Sequence, residues 1–167
     1  MIAIVGVIGH QGTGKTRLIE QLIPVLLERG YRVGTVKHAP DLTEIDTPGA
    51  DSSRHRAAGA DQTLVVGSME QALFWDCDPE APIDEVVRRL FSDHDLVLVE
   101  GFKHGPFPKI EVWRRVWERS VEPLAGTVQV MAVVTKERVA LPDGVAVLPP
   151  NRPEATADFL EQTILSS

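Results

Sequence analysis

The sequence predicts an α/β sandwich built around a mostly parallel central sheet. Strand and helix patterns alternate along the 167 residues, and the apolar strand segments lack the strict alternation of apolar and polar residues typical of a half-solvated sheet. Parallel strands need crossover connections, and the intervening helices supply them. Ligands of such folds bind at the carboxyl ends of the strands, where we therefore expect the functional site.

The first predicted strand, Ile2 to Ile8, is followed by a glycine-rich stretch and then by a helix. Apolar residues from Leu18 to Leu27 recur at helical spacing, and Gly30 is placed to cap the helix. Pro24 removes one backbone donor inside this pattern. We therefore expect the helix to bend at Pro24.

The remaining elements follow from local patterns of the same kind. They are strands over residues 31–36, 62–66, 71–75, 95–101, 109–113, 128–134 and 145–148, and helices over residues 51–58, 83–91 and 153–165. A short stretch that includes Gly67, Ser68 and Met69 separates the second and third of these strands, which favours a hairpin. No shift in composition marks a linker, so we expect a single domain over residues 1–167.

Composition and charge exclude several classes of protein. The chain carries 17 basic and 24 acidic residues, a net charge of −7, and such a surface repels a nucleic-acid backbone. No apolar run approaches the roughly 20 residues that cross a bilayer, and the apolar start lacks the basic flank of a signal peptide. Cys77 is the only cysteine, so no intrachain disulfide forms and we expect a protein of the reducing cytoplasm.

Residues 9–16, Gly-His-Gln-Gly-Thr-Gly-Lys-Thr, match the phosphate-binding loop pattern, and they lie between a buried strand and an amphipathic helix. Glycines allow backbone N–H groups to point at phosphate oxygens, and the helix N-terminus adds partial positive charge. The predicted nucleotide-binding residues are Gly9, Gln11, Gly12, Thr13, Gly14, Lys15 and Thr16. The predicted fold is then a P-loop NTPase-like three-layer sandwich, with helices flanking the sheet.

Three predicted site residues carry the chemistry. Lys15 reaches the β- and γ-phosphates, and the Thr16 hydroxyl binds Mg²⁺. Glu100 ends the apolar strand segment Leu96 to Val99 and is the acid expected to hold the metal directly or through water. The same position also fits a solvated carboxylate at a strand end. We therefore predict Lys15, Thr16 and Glu100 as catalytic residues, with Thr16 and Glu100 as the metal ligands.

Two partial matches argue against an ordinary signalling GTPase. Residues 46–49, Asp-Thr-Pro-Gly, resemble a switch element of GTP-hydrolysing proteins, but no strand precedes Asp46. Residues 135–138, Thr-Lys-Glu-Arg, half resemble a guanine-reading motif, but Arg138 stands where the base-binding carboxylate belongs. The five histidines lack metal-ligand spacing, so we expect no zinc site.

A basic segment lies within this acidic chain. Residues 101–119 have a net charge of +3, from Lys103, Lys109, Arg114, Arg115 and Arg119 against Glu111 and Glu118. Beside a phosphate site such a segment could clamp a second anionic ligand, because Arg suits bidentate phosphate contacts. A solvated charged surface fits the charge pattern equally well. We expect Trp113 and Trp117 to pack rather than to stack on a ligand.

Several short blocks, taken together, resemble a known family. They occur in order within residues 2–115, and the set is far more specific than the phosphate-binding loop alone. The blocks are residues 9–16, Val36-Lys37-His38, Ile-Asp-Thr-Pro-Gly-Ala-Asp-Ser at 45–52 with Arg54, Ala58-Gly59-Ala60, Val99-Glu100-Gly101-Phe102-Lys103 and Pro108-Lys109-Ile110-Glu111-Val112. On these blocks the chain is similar to the molybdopterin-guanine dinucleotide biosynthesis protein B (MobB) family.

The resemblance implies a GTP-binding accessory protein of molybdenum cofactor maturation, with GTP and Mg²⁺ as cofactors and weak hydrolysis of GTP. Its partner is then the guanylyltransferase that joins GMP to molybdopterin, with molybdopterin as a second ligand, and the protein is then a homodimer. The residues assigned to the switch or substrate regions, from the resemblance and the basic segment, are Lys37, His38, Asp46, Asp51, Arg54, Lys103, Lys109 and Arg114.

Two other functions are compatible with the residues. A small-molecule kinase would bind an acceptor at the basic segment around Lys109 and Arg114 and transfer the γ-phosphoryl group of ATP or GTP to it. Asp46, Asp51 and Arg54 could then supply the activating acid and the lid arginine. A non-catalytic binding module would instead use the nucleotide only to order a partner surface.

Overall fold

The computed structural model describes residues 2–76, 78, 81–115 and 121–165. These residues belong to two compact units, one formed by residues 1–38 and 82–167 and the other by residues 39–81. The expectation of a single domain over residues 1–167 stays a prediction. Four residues singled out from the sequence lie outside the described part of the chain, namely Cys77, Trp117, Glu118 and Arg119.

The first unit is built on a six-stranded sheet in which every pair of neighbouring strands is parallel. The strand order is β2-β5-β1-β6-β7-β8. The strands are β1 (Ala3–Ile8), β2 (Val33–Lys37), β5 (Leu96–Glu100), β6 (Lys109–Val112), β7 (Ala132–Val134) and β8 (Ala146–Leu148). This arrangement confirms the predicted fold class, because parallel neighbours require crossovers between the strands.

Helices cover both faces of this sheet. On one face, Val5 and Val7 of β1 pack with Leu22 of α1 (Lys15–Glu28) and Leu160 of α4 (Pro153–Leu160). On the other face, strand residues pack with Val87 of α3 (Ile83–Leu90). The unit therefore has three layers, and strands buried on both sides explain why the apolar strand segments do not alternate.

Helix α1 runs from Lys15 to Glu28 and includes Pro24. Gly30 has a positive φ of 88°, and its N–H donates to the carbonyl of Leu27 at 3.0 Å. The N–H of Tyr31 donates to the carbonyl of Leu26 at 3.1 Å. These two bonds form the C-terminal cap expected of Gly30, whereas the bend at Pro24 stays a prediction.

The strand predicted over residues 128–134 begins only at Ala132. The preceding chain forms a short 3₁₀ helix, Leu124–Gly126, and the N–H groups of Thr127 and Val128 donate to the carbonyl of Leu124. Residues 127 and 128 therefore close a helical turn and do not pair in the sheet. The last predicted helix is α4 followed by a π-helical turn, Glu161–Leu165.

The second unit contains helix α2 (Asp51–Ala57) and a hairpin of strands β3 (Gln62–Val66) and β4 (Gln71–Trp75). Both strand ranges agree with the predicted ones. The N–H of Gly67 closes the turn by donating to the carbonyl of Glu70 at 2.9 Å. In the described parts of both units, no helix combines the length and the apolar character needed to cross a membrane.

Candidate functional site

The phosphate-binding loop connects the end of β1 at Ile8 to the start of α1 at Lys15. Gly9, Gly12 and Gly14 have φ angles of 145°, 77° and 102°, which residues other than glycine rarely adopt. A Cβ atom on Gly9 would also lie 2.3 Å from the carbonyl oxygen of Val112. The backbone conformation therefore favours glycine at all three positions. At Gly9 a side chain would also clash with Val112.

Side chains hold this loop in place. Thr13 is buried, and its hydroxyl donates to the carbonyl of His10 at 2.9 Å. The guanidinium of Arg114, which follows β6, donates to the carbonyl of Gly12. Gln11 is exposed. Thr13 thus makes a hydrogen bond within the loop. Arg114, which is not a loop residue, makes a second one to the loop backbone.

The ammonium of Lys15 lies under the loop and donates to the carbonyls of Gly9 at 2.9 Å and His10 at 2.8 Å. Burial lowers the pKa of Lys15; the nearby Glu100 carboxylate opposes this shift and the Lys37 ammonium adds to it. Lys15 is therefore a donor in contact with the loop backbone, and a lysine at this position of the pattern can bind phosphate oxygens.

Glu100 accepts from two side chains at the carboxyl edge of the sheet. The Thr16 hydroxyl lies 3.1 Å from each of its carboxylate oxygens, and the Lys37 ammonium donates to Oε1. Strand register causes this meeting, because Glu100 pairs with Lys37 of β2 on one side and with Val7 of β1 on the other. The predicted pair Thr16 and Glu100 is thus joined by Lys37.

His38 and Phe102 form the border of this edge. Their rings stack with centroids 3.8 Å apart, and the N–H of His38 donates to the carbonyl of Glu100 at 2.9 Å. Gly101 and Phe102 have positive φ angles of 95° and 52°. A Cβ atom on Gly101 would lie 3.1 Å from the Cβ of His38, so a glycine lets the two chain segments approach closely.

The basic segment is not one continuous cluster. Lys109 begins β6, and its ammonium donates to the carbonyl of Phe107 at 2.9 Å, while burial lowers its pKa. Arg114 lies beyond the other end of this strand, beside the loop. Arg115 pairs with Glu137 at 3.3 Å, and Lys103 is exposed. Within the described part of this segment, Arg114 is the basic residue with a hydrogen bond to the phosphate-binding loop.

Asp46, Asp51 and Arg54 belong to the second unit. Asp46 accepts from the Thr47 N–H at 2.8 Å, the Ser52 hydroxyl at 3.1 Å and the Arg56 guanidinium at 3.0 Å. Burial raises the pKa of Asp46, but these hydrogen bonds outweigh it and hold the pKa below its usual range. Asp51 and Arg54 form an exposed pair at 3.5 Å.

Glu111 has a role that the sequence did not reveal. It is fully buried in β6, and its carboxylate accepts from the N–H groups of Leu124 at 2.7 Å and Ala125 at 2.9 Å. The carboxylate therefore caps the 3₁₀ helix. An acid between apolar residues of a buried strand is the signal that could have indicated a paired carboxylate, because an unpaired buried charge is very costly.

The donor set at the loop fits Mg²⁺. In the described residues no group of three or more His, Cys, Asp and Glu side chains could hold a metal by itself. Mg²⁺ needs no such group, because it is commonly bound by one or two protein oxygens together with phosphates and water. The Thr16 hydroxyl and the Glu100 carboxylate are hard oxygen ligands of this kind.

Comparisons with known proteins find similarity to one family. The family described as molybdopterin guanine dinucleotide synthesis protein B matches residues 4–136. The molybdopterin-guanine dinucleotide biosynthesis adapter protein of Escherichia coli is 39% identical over 163 residues, covering 96% of this chain and 92% of the relative. The adapter protein of the same description from Haemophilus influenzae is 34% identical and covers 96% of this chain and 88% of the relative.

Solved structures extend the comparison to the fold. A crystal structure of molybdopterin-guanine biosynthesis protein B superposes with a TM-score of 0.74 at 28% identity, covering 96% of this chain and 99% of that chain. A MobB homologue from Bacillus stearothermophilus gives a TM-score of 0.66 at 26% identity, covering 98% of this chain and 99% of that chain. The similarity spans nearly the full length of each structure.

Proposed function

The chain belongs to the molybdopterin guanine dinucleotide synthesis protein B (MobB) family, and from this premise we propose that it is a GTP-binding adapter of molybdenum cofactor maturation. It binds GTP with Mg²⁺, hydrolyses the nucleotide slowly, and acts beside the guanylyltransferase that joins GMP to molybdopterin. The adapter proteins of Escherichia coli and Haemophilus influenzae, which are named for this biosynthesis, support the proposed role.

One observation carries the nucleotide part of the proposal. Lys15, Thr16 and Glu100 converge at the carboxyl edge of the sheet, with Lys15 under the loop and Thr16 bonded to Glu100. Thr16 and Glu100 are 84 residues apart in the sequence, and the pairing of β1 with β5 brings them together. An ammonium, a hydroxyl and a carboxylate beside a glycine loop are the groups that bind a polyphosphate and its metal.

Each residue then has a distinct task. The loop amides bind the phosphate oxygens, and Lys15 exchanges its carbonyl partners for the β- and γ-phosphates. Thr16 and Glu100 hold Mg²⁺, which when bound neutralises negative charge on the same phosphates. Positioning and electrostatic stabilisation supply the modest rate of hydrolysis.

The remaining parts of the proposal concern partners and location. We assign Asp46, Asp51 and Arg54 to the switch region, and Lys103 and Lys109 to the binding of molybdopterin. The homodimer belongs to the same proposal. The hairpin exposes Leu64, Val66 and Met69, and exposed apolar patches often mark protein interfaces. A reducing cytoplasm is part of the proposal because Cys77 is the only cysteine.

Isothermal titration calorimetry of GTP and ATP in Mg²⁺ buffer tests the nucleotide site. Wild type should bind GTP more tightly than ATP, and Lys15→Met should weaken GTP binding by about 100-fold while the protein stays folded, because a charged hydrogen-bond donor is lost. Arg89→Met is the control for loss of one positive charge: it removes an exposed cation from helix α3 and should leave affinity unchanged. Equal GTP affinity in Lys15→Met and wild type would contradict the site.

Phosphate release separates the alternatives. Slow release from GTP without an acceptor agrees with the adapter. Nucleoside diphosphate formation that depends on an added acceptor would identify a kinase, and tight GTP binding with no release at all would identify a non-catalytic module. Adding the guanylyltransferase and molybdopterin to the assay tests the partner assignment, since either one should change the rate.

A further inference from the structure

Lys37 is a second ammonium beside the phosphate-binding loop. It is the last residue of β2, and it donates to Oε1 of Glu100, the same carboxylate that accepts from Thr16. The side chain of Glu100 is 10% exposed, whereas that of Lys37 is 60% exposed. A nearly buried carboxylate thus receives a lysine that reaches it from the solvent side.

The backbone of Lys37 is held much more firmly than its side chain. Its Cα pairs with that of Glu100 in the sheet, and the N–H of the next residue, His38, donates to the carbonyl of Glu100 at 2.9 Å. The His38 ring stacks on Phe102. The four-carbon stem of Lys37 can therefore turn to another acceptor while the strand end stays in place.

Two cations cannot share this carboxylate oxygen at close range. A lysine ammonium carries one positive charge and Mg²⁺ carries two, and charges about 4 Å apart repel by several kcal/mol near a protein surface. A metal bound at Oε1 would therefore drive the Lys37 ammonium away from that oxygen. The γ-phosphate of a bound nucleotide would then be an acceptor for this ammonium, because the metal in sites of this kind binds phosphate oxygens.

We propose that Lys37 and Mg²⁺ compete for Glu100, and that the displaced Lys37 ammonium binds the γ-phosphate of the nucleotide. The inference rests on the proposed function and deepens it. Lys37 becomes the residue by which this site distinguishes a triphosphate from a diphosphate. Lys15 has no such selectivity, because it reaches the β- as well as the γ-phosphate.

In hydrolysis the Lys37 ammonium stabilises charge and does not transfer a proton. A bond forms between a water oxygen and the γ-phosphorus, and the bond from the γ-phosphorus to the β–γ bridging oxygen breaks with its electron pair left on GDP. The proton of the attacking water passes to the phosphate product. Lys37 keeps its own proton and stabilises the negative charge on the γ-phosphate oxygens in the transition state.

Calorimetry with GDP and a non-hydrolysable GTP analogue, both in Mg²⁺ buffer, tests the proposal without turnover. Lys37→Met should bind GDP within about two-fold of wild type and bind the analogue about 10 to 100-fold more weakly, the effect of one charge-assisted hydrogen bond. Lys37→Arg should retain most of the preference for the analogue. Arg89→Met, with the same loss of charge on α3, should behave as wild type.

A Mg²⁺ titration of the GDP complex supplies an independent readout. Lys37→Met should reach half-saturation at a lower Mg²⁺ concentration than wild type, because the competing ammonium is absent. A purely structural ion pair predicts the reverse pattern: both nucleotides would weaken together, with a parallel drop in melting temperature. That pattern, or an unchanged ratio of analogue to GDP affinity in Lys37→Met, would overturn the proposal.

The two levels of inference fail differently. If wild type binds neither GDP nor the analogue, the proposed nucleotide function is wrong, and the role of Lys37 is wrong with it. If wild type binds both and Lys15→Met binds neither well, while Lys37→Met keeps the wild-type ratio, only the role of Lys37 is wrong.

Discussion

Glu100 and Glu111 lie on opposite sides of β1 at nearly the same level of the sheet. Glu100 pairs with Val7, and Glu111 pairs with Ile8. Both carboxylates are buried or nearly so, yet their partners differ. Glu100 accepts from the side chains of Thr16 and Lys37, whereas Glu111 accepts from the backbone N–H groups that start a 3₁₀ helix.

The difference lies in whether the partners can move. A hydroxyl and an ammonium on flexible side chains can exchange the carboxylate for a metal or a phosphate at little structural cost. Two backbone N–H groups at the start of a helix cannot leave without being orphaned, and a buried orphaned N–H costs about 1 to 3 kcal/mol. The same residue type is therefore free to bind a ligand on β5, as we propose for Glu100, and is a structural cap on β6.

The largest effect on stability is expected from Glu111→Ala. Both N–H groups at Leu124 and Ala125 would lose their acceptors, and we expect the free energy of unfolding to fall by about 3 kcal/mol in urea titrations. Glu111→Gln keeps one acceptor oxygen and should lose less. If Glu111→Ala lowered the free energy of unfolding by less than about 1 kcal/mol, the two carboxylates would not differ in this way.

Glu100→Gln should have the opposite profile. Its partners are exposed or able to turn, so the free energy of unfolding should change by less than about 1 kcal/mol. Mg²⁺-dependent GTP hydrolysis should fall by about 100-fold, equivalent to about 2.7 kcal/mol, because a charged ligand of the metal is lost. Phosphate release and urea titration on the same sample measure both. Wild-type turnover combined with a large loss of stability would reverse the assignment.

Asp46 is an intermediate case, because its carboxylate accepts from both backbone and side-chain donors. We expect a smaller effect on stability there than at Glu111. A backbone N–H, a hydroxyl and a guanidinium all donate to it, and its pKa lies below the usual range. The folded protein therefore binds fewer protons there than the unfolded chain. The stabilisation is present above the unfolded pKa of about 4 and is lost as pH falls through the folded value.

Melting temperatures measured across this acidic range, for wild type and Asp46→Asn, check the prediction. The wild type should lose stability more steeply than the variant as the pH falls below about 4. Identical slopes would show that the partners of Asp46 do not stabilise its charged form. The hairpin strands β3 and β4 offer a local readout, since they belong to the same unit as Asp46.

Local signals in the sequence were enough for much of the fold. The ranges of β3 and β4 follow from short runs around a turn, and the loop between β1 and α1 follows from its glycines. The start of β7 was predicted too early, because the 3₁₀ helix before it depends on Glu111, which lies 13 residues away from Leu124. A contact of that kind leaves no periodic pattern in the segment itself.

In the candidate site, too, local signals identify residues but not their contacts with residues distant in the sequence. Thr16 and Glu100 could be chosen from the sequence, since Thr16 ends the loop pattern and Glu100 ends an apolar strand segment, and Lys37 could be chosen through the family resemblance. Their mutual contacts could not, because Lys37 and Glu100 are 63 residues apart. Only the strand order β2-β5-β1 brings them together, and a sequence of alternating strands and helices does not specify that order.

A crystal structure with Mg²⁺ and a non-hydrolysable GTP analogue would show directly where the phosphates bind. We expect the β- and γ-phosphates within the loop of residues 9–14, the metal bound to the Thr16 hydroxyl, and the Lys15 ammonium moved from the carbonyls of Gly9 and His10 to phosphate oxygens. An analogue bound elsewhere, with Lys15 still donating to those carbonyls, would contradict the account.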